Sequence, residues 1–373
     1  MRILTVTHYQ LPHWGGIEMT AAALHERYRR MGHESVWLSS DLPRHADAPA
    51  GYVRVPASDL PFATLGVAYP LWTPRAAALL REQIEWCDVV NPHDCLYPGT
   101  LLALRGAARA GKPLVLTQHA GPWPFYRSAL LRAVQLAAYR TLGLAVHRRV
   151  AQAAFISRAV RAWFTARVRY ARPARFITNG VDTAVFTYGD GDARRAARQR
   201  LGLPLERRIV LYVGRFLFMK GLPVIEALAR RHPDTLFVLI GAGPLDPRQW
   251  QLPNVVVQPF QPQAELRDYY WSGDVLVLPS TGEGFPLVVM EAMVCGCPAI
   301  VSAETYAAWD AGREWFVASP STADAVAATL ASPPPLLDPD ARERISMYAR
   351  AHWDWDQVAR EYVALMTEST RWR

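Results

Sequence analysis

The chain has 373 residues, 51% hydrophobic and 20% charged, which excludes a disordered or fibrous chain and exceeds what one core of usual size holds. Cys87, Cys95, Cys295 and Cys297 are too few for a disulfide scaffold and form no zinc-type pair of CxxC motifs, and no run approaches the ~20 apolar residues that span a bilayer. The net charge of +8 is uneven: Cys95 to Val181 holds 13 Arg and Lys112 but no Asp or Glu, while the remainder carries 27 basic and 33 acidic side chains. An anionic partner surface is expected on that one region.

Residues 2–8 read as a short strand rather than a leader, so a cytoplasmic location is expected. Strand-like runs then alternate with amphipathic segments, the pattern of parallel sheets with helical crossovers. In the first half strands are expected at 2–8, 35–40, 52–57, 87–92, 114–119, 153–157 and 174–178, with helices near 17–31, 72–85, 98–110, 125–150 and 158–169. Asn179-Gly180 is a turn signal, and the polar segment Tyr188-Gly-Asp-Gly-Asp192 reads as the connection between domains. Strands follow near 208–214, 235–240, 254–259, 275–279 and 298–302, and Pro333-Pro334-Pro335 breaks the chain before two C-terminal helical stretches. The expected architecture is α/β, with Rossmann-like domains at 1–184 and 193–353 and the last helix, 354–373, packed back on the first.

Both halves begin alike. Ile3–Thr7 leads through Gly15-Gly16 into a helix, and Ile209–Val213 leads through Gly214-Arg215 and Lys220-Gly221 into another. A helix N-terminus delivered by a loop after a parallel strand suits phosphate, because free N–H groups and the helix dipole both favour an anion.

The most specific signal is the run from Ser280 to Ile300, which contains Thr281-Gly-Glu-Gly-Phe-Pro-Leu-Val-Val-Met-Glu291. A strand ends, Gly282 and Gly284 flank Glu283 and open the loop to a ligand, and a helix starts near Phe285-Pro286. Glu291 lies two turns in, amid Val289, Met290, Ala292 and Met293. A buried carboxylate there is costly unless it accepts hydrogen bonds, and adjacent ribose hydroxyls match it. Glu283, at the strand tip, is placed to meet sugar hydroxyls.

Two glutamates separated by seven residues are the hallmark of glycosyltransferase family 4, and here the sequence resembles that family, which has the GT-B fold. The resemblance covers nearly the whole chain: Gly15-Gly16-Ile-Glu18, Gln118-His119-Ala-Gly121, Asn179-Gly-Val-Asp182, Val213-Gly-Arg215 with Lys220-Gly221, Ile240-Gly-Ala-Gly-Pro244 and Trp353-Asp-Trp-Asp356. It implies a retaining, metal-independent hexosyltransferase that uses a UDP- or GDP-linked sugar as co-substrate, needs no other cofactor, and works in a cleft between two domains. Of the two lysines, Lys220 and Arg215 look like the pair that neutralises the donor diphosphate, whose developing charge must be stabilised as it leaves. His119 resembles the group that contacts the donor sugar. With Glu283, Arg215 and Lys220 it makes up the expected catalytic set. Donor contacts are expected from Gly15, Gly16, Arg215, Lys220, Phe260, Gln261, Glu283, Gly284, Phe285, Pro286, Leu287 and Glu291. After strand 298–302 the family often has a Gly-Gly-x-x-Glu-like loop, where this chain has Ser302-Ala-Glu-Thr-Tyr-Ala-Ala-Trp-Asp310.

Other features read as structural. Asp190-Gly-Asp192 and Asp354-Trp-Asp356 have metal-motif spacing, but the first lies in the connection and the second at a helix start. Ser157 reads as a helix N-cap, His8 and His13 as loop residues, Cys295-Gly-Cys297 as packing, and Gly241-Ala-Gly243 as a tight turn without the third glycine of a dinucleotide fingerprint.

For the acceptor, residues 123–150 interleave Trp123, Phe125, Tyr126, Leu130, Leu131, Val134, Leu136 and Leu142 with Arg127, Arg132, Arg140, Arg148 and Arg149. This suits an interfacial helix on anionic lipid, or a crossover helix with a basic outer face. The first points to peripheral association with the inner face of a membrane and a lipid-linked glycan or envelope polysaccharide precursor as acceptor; the second leaves room for a soluble acceptor. No nucleic-acid partner is expected. An epimerase or phosphorylase on the same scaffold, and a sugar-nucleotide-binding protein without catalysis, are the rivals from other classes. A phosphorylase would want a lysine for pyridoxal phosphate, and Lys220 is the second-domain candidate.

Overall fold

The computed structural model describes residues 1–11, 13, 15–42, 50–61, 69–123, 128–281, 283–309, 312–332 and 334–371. The chain divides into two units, Met1–Asn179 with Trp355–Arg373, and Gly180–Asp354.

In the first unit the strands are β1 (Arg2–Val6), β2 (Glu34–Ser40), β3 (Tyr52–Val55), β4 (Ala57–Ser58), β5 (Leu71–Trp72), β6 (Val89–Pro92), β7 (Val115–Gln118), β8 (Gln152–Phe155) and β9 (Arg175–Phe176). β1 is the centre, pairing in parallel with β2 (Ile3 opposite Ser35) and with β6 (Ile3 opposite Val89). The order β3-β2-β1-β6 is extended to β7-β8-β9 by parallel bridges from Val90 to Leu114 and from His93 to Thr117. β4 and β5 form a separate antiparallel pair. Side chains of the short parallel strands are covered on both faces, which explains their runs of apolar residues. Leu4, Val6, Leu38, Val90, Leu116, Phe155 and Phe164 share one core.

The helices start where sequence signals place them. Thr73 caps Pro74–Trp86 by accepting from the Ala76 N–H, Ser128 caps Ala129–Ala138, and Ser157 caps Arg158–Thr165. The helical stretch expected at 125–150 is broken up: Ala129–Ala138 passes through a π turn, Tyr139–Gly143, into Leu144–His147. Phe125, Tyr126 and Arg127 of that stretch lie outside the described residues. The final helix, Trp355–Thr370, belongs to this unit and is tied to Gly16–Arg30 by an Arg27–Asp356 ion pair at 3.1 Å. Its buried Val358, Tyr362, Leu365 and Met366 each contribute roughly 1.5–3 kcal/mol relative to exposure.

The second unit is a single parallel sheet of β10 (Ile209–Val213), β11 (Leu236–Ile240), β12 (Val255–Gln258), β13 (Val275–Leu278), β14 (Ala299–Ser302) and β15 (Val317–Ser319). Its order, β12-β11-β10-β13-β14-β15, reverses direction at β10. β15 was not expected: three residues are too few to show a period, and pairing with β14 defines it. Tyr188–Asp192 is not the connection between units. The division falls earlier, at Asn179, because Asp190 caps Gly191–Arg200 and the Trp271 indole N–H donates to Thr187 O, which anchors the segment to the second unit.

Candidate functional site

In open parallel sheets ligands bind beyond the carboxyl ends of the strands where the order reverses. In the first unit that place lies beyond β1, β6 and β7, and the residues next in line are His8, His93-Asp94 and His119. Asp94 has φ of 63°, a left-handed conformation that Asp tolerates better than most residues. Its Oδ1 accepts from Gln118 Nε2 at 2.7 Å, from the His119 N–H at 2.9 Å and from the Ala120 N–H at 3.0 Å. Burial pushes the Asp94 carboxyl up to about 6, while those backbone N–H groups pull the other way. The aspartate therefore fixes the backbone of His119.

His119 is buried, and its Nε2 lies 2.9 Å from Nδ1 of His93, the two rings stacked with centroids 5.0 Å apart. Beside them His8 stacks on Tyr97 at 3.7 Å. His8 Nε2 and His13 Nδ1 each stand 3.5 Å from Oε1 of Glu18, which is 2% exposed in the first turn of Gly16–Arg30. Burial lowers His8 to about 4, so an uncharged ring faces this carboxylate at neutral pH. The Glu18 carboxyl, raised by burial but lowered more by His13 and His8, stays below its ordinary value, and the helix N-terminus also favours its charge. Gly15 is dictated by this arrangement: a Cβ there would sit 2.2 Å from Glu18 Oε2, whereas one at Gly16 would meet nothing within 4 Å. His8 and His13, in the loop as read from the sequence, are held against Glu18, and His93, Asp94 and Glu18 lie on the same unit as His119. A His-Asp pair just after the strand expected at 87–92 was the sequence signal for the first two.

In the second unit the corresponding place lies beyond β10 and β13. Arg215 follows β10 and is exposed, its backbone O accepting from the Tyr212 hydroxyl at 3.0 Å. A 3-10 turn, Phe218–Lys220, leads to Gly221 at the N-cap of Leu222–Arg231. Gly221 has φ of 76°, and a Cβ there would lie 2.5 Å from Pro279 O. The turn therefore presses directly on the end of β13, and the Thr281 N–H donates to Met219 O at 2.9 Å. This contact sets Lys220 against Glu283, and the two form an ion pair. Lys220 and Glu283, expected to serve diphosphate and sugar separately, hold each other in this structure.

Glu291, buried in Leu287–Val294, accepts from the Tyr270 hydroxyl at 2.8 Å. Burial pushes its carboxyl up to about 7, against hydrogen bonds from Tyr270 and Gln263 that pull it down. The partner that its burial demanded includes a tyrosine of the same unit. The Phe285 ring stacks on Trp309 at 3.8 Å and lies edge-on to Trp353, so its side chain is committed to the core. Pro286 is the N-cap of the helix, Leu287 its first residue, and Gly284 is half-buried; Gly282 lies outside the described residues. Phe260 is exposed, and Gln261 Nε2 donates to Pro259 O at 3.2 Å.

The motifs read as structural have structural partners. Asp190 accepts from the Ala193 N–H, Thr183 donates to Asp354, and Asp356 pairs with Arg27. The Gly241-Ala-Gly243 turn receives the Phe216 N–H at Ala242 O, 2.8 Å away. Ser302 caps Ala303–Ala308, leaving Glu304 exposed; Asp310 lies outside the described residues. Among the described residues no three His, Cys, Asp or Glu side chains are grouped to hold a metal ion, and no helix is long and apolar enough to cross a membrane.

Residues 14–185 match the family described as Glycosyltransferase Family 4, and residues 193–352 match the one described as Glycosyl transferases group 1. The chain is 36% identical to a putative teichuronic acid biosynthesis glycosyltransferase of Bacillus subtilis over 113 residues, 30% of this chain and 29% of that protein. It is 32% identical to the D-inositol 3-phosphate glycosyltransferase of Mycobacterium avium over 207 residues, 50% of this chain and 48% of that one. The matched stretches thus span from about a third to about half of these curated relatives. Among solved structures, sucrose-phosphate synthase from Thermosynechococcus elongatus superposes with a TM-score of 0.77 at 20% identity, covering 98% of both chains. Anabaena HepE in complex with UDP-glucose gives 0.73 at 16% identity, covering 99% of this chain and 100% of that one. At such identities the likeness is one of fold.

Proposed function

This chain belongs to glycosyltransferase family 4 and has the GT-B fold, and on that premise we propose that it moves a hexose-type sugar from a UDP- or GDP-linked donor to an acceptor hydroxyl, with retention and without a metal ion. The observation that carries this reading is the Lys220–Glu283 ion pair just beyond β10 and β13, with Arg215 on the loop after β10 and Glu291 in the helix that follows Glu283. Two cations and the N-terminus of Leu222–Arg231 suit a diphosphate, and two carboxylates suit sugar and ribose hydroxyls. The UDP-glucose bound by HepE supports a nucleotide-sugar donor.

In this mechanism the bond between the anomeric carbon and the diphosphate oxygen breaks. The acceptor oxygen bonds to that carbon on the same face, and its proton passes to the leaving phosphate oxygen. Arg215 and Lys220 stabilise the charge on the leaving diphosphate, Glu283 holds the donor sugar, Glu291 holds the ribose, and His119 contacts the sugar near the reacting carbon. The phosphorylase alternative is disfavoured because Lys220 is already paired with Glu283.

The favoured acceptor is a lipid-linked glycan or envelope polysaccharide precursor at the cytoplasmic face of a membrane. Exposed Leu130, Val134 and Leu142 beside Arg132 and Arg140 support it, since apolar groups flanked by arginines suit an anionic lipid surface. A soluble phosphorylated polyol is the second reading, favoured by the inositol phosphate named for the mycobacterial relative.

Thermal unfolding with a panel of UDP- and GDP-hexoses tests the proposal, since a ligand bound only by the native state raises Tm. One donor should stabilise the protein and release its nucleoside diphosphate when acceptor is added. Failure of every member to bind overturns the donor assignment.

A further inference from the structure

His93 has no part in the mechanism above, yet it is fully buried and its ring meets the ring of His119. One of two neutral imidazoles 2.9 Å apart must donate and the other accept, because each offers one N–H and one lone pair. Burial keeps both rings neutral, lowering His119 to about 3 and His93 well below its ordinary value.

Two proton arrangements satisfy the contact. If His119 donates from Nε2, the proton of His93 sits on its own Nε2, a buried nitrogen with no hydrogen-bond partner among the described residues. If His93 donates from Nδ1, that buried nitrogen is only a lone pair. Orphaned buried N–H groups are rare, so the second arrangement is favoured. It places the proton of His119 on Nδ1, the nitrogen that makes no hydrogen bond to any described residue. Asp94, the next residue, meanwhile holds the backbone N–H of His119. One dipeptide beyond β6 therefore fixes both the chain and the ring of His119.

We propose that His93 is a positioning residue that holds His119 as the Nδ1–H tautomer, so that His119 meets the donor sugar as a hydrogen-bond donor and not as a base. The nitrogen that a histidine presents is set by the bond the other nitrogen makes. The proposal rests on the assignment of His119 to the donor sugar, and it fits a mechanism in which the leaving phosphate oxygen takes the acceptor proton.

Two experiments test it. Long-range proton–nitrogen NMR of the full chain carrying 15N-histidine should show His119 Nε2 unprotonated and Nδ1 protonated, without ligand and without mutation; the reverse pattern overturns the proposal. Turnover of the hexose donor found by thermal shift is then compared in His93→Asn, His93→Phe and His119→Ala. Misorienting a reacting group costs up to about a hundredfold in rate, so His93→Phe should lower kcat by up to that factor while leaving the Kd for the nucleoside diphosphate unchanged. His93→Asn, which keeps an amide donor near the position of Nδ1, should recover most of it. If His119→Ala loses turnover while His93→Phe does not, the role of His93 is refuted. Full turnover in His119→Ala overturns the assignment of His119 itself, and the NMR pattern still decides the tautomer. It also decides should His93→Phe fail to fold.

Discussion

The Lys220 ammonium and the Glu283 carboxylate, 63 positions apart in the chain, form an ion pair beyond the ends of β10 and β13. A diphosphate that binds Lys220 competes with that carboxylate. Removing the negative charge by Glu283→Gln is expected to tighten nucleoside diphosphate binding by roughly fivefold, the scale of a ~1 kcal/mol ion pair. The same change should lower kcat on the order of 10²–10³ if Glu283 makes the proposed contact with the reacting sugar. Lys220→Ala should weaken nucleoside diphosphate binding. Calorimetry of the two variants checks this, and weaker binding in Glu283→Gln would show that its carboxylate touches the nucleotide favourably.

With Glu291 assigned to the ribose, nucleotide binding is expected to depend on pH. Its carboxyl titrates near 7 in the folded protein, and only the carboxylate can accept from both ribose hydroxyls. Nucleoside diphosphate affinity should therefore fall as pH drops through about 7. Tyr270→Phe removes a hydrogen bond that favours the charged form, so the midpoint should move upward. Stability has the opposite sign. A carboxyl raised on folding penalises the native state at high pH, and the penalty disappears as pH falls from above 7 toward the unfolded value. Glu291→Gln should thus be neutral or stabilising at pH 8, as measured by Tm, while raising KM with little change in kcat.

Transfer is expected to proceed at full rate in EDTA if, as proposed, Arg215, Lys220 and the N-terminus of Leu222–Arg231 supply the counter-charge for the diphosphate. Activity abolished by EDTA and restored by magnesium or manganese would mean that the phosphates bind elsewhere.

The exposed face of Ala129–Ala138 and the turn after it should bind anionic vesicles, and binding should weaken with salt as attraction is screened over ~10 Å at 0.1 M. Arg132→Glu with Arg140→Glu, or Leu130→Ser with Val134→Ser, should release the protein in a flotation assay without altering donor binding. Absence of vesicle binding at low salt removes the membrane from the proposed function.

Gly221→Ala is expected to damage the donor site more than the fold. The new Cβ meets Pro279 O at 2.5 Å on a backbone at φ of 76°, so the turn carrying Lys220 must move away from β13. A cost of about 1–3 kcal/mol is usual for such strain. It should appear as a lower Tm and a larger loss of nucleoside diphosphate affinity than in Gly16→Ala, where a Cβ meets nothing within 4 Å among the described residues.

The class of the molecule is legible in its amino-acid order. Apolar runs such as Ile209–Val213 and Val275–Leu278, spaced by amphipathic segments, can be buried only in parallel sheets covered by helices, and Gly221, Pro286 and Ser157 mark where helices begin. The spacing of Glu283 and Glu291 was legible because both lie on one local loop-and-helix segment. Which groups meet follows from the packed fold: Lys220 with Glu283, Tyr270 with Glu291, and His93 with His119. Each pair joins separate elements: Tyr270 and Glu291 lie on the helices before and after β13, while strand order in the sheet brings Lys220 to Glu283 and His93 to His119. Parallel pairing places β7 beside β6 and β13 beside β10, and no local periodicity encodes that choice.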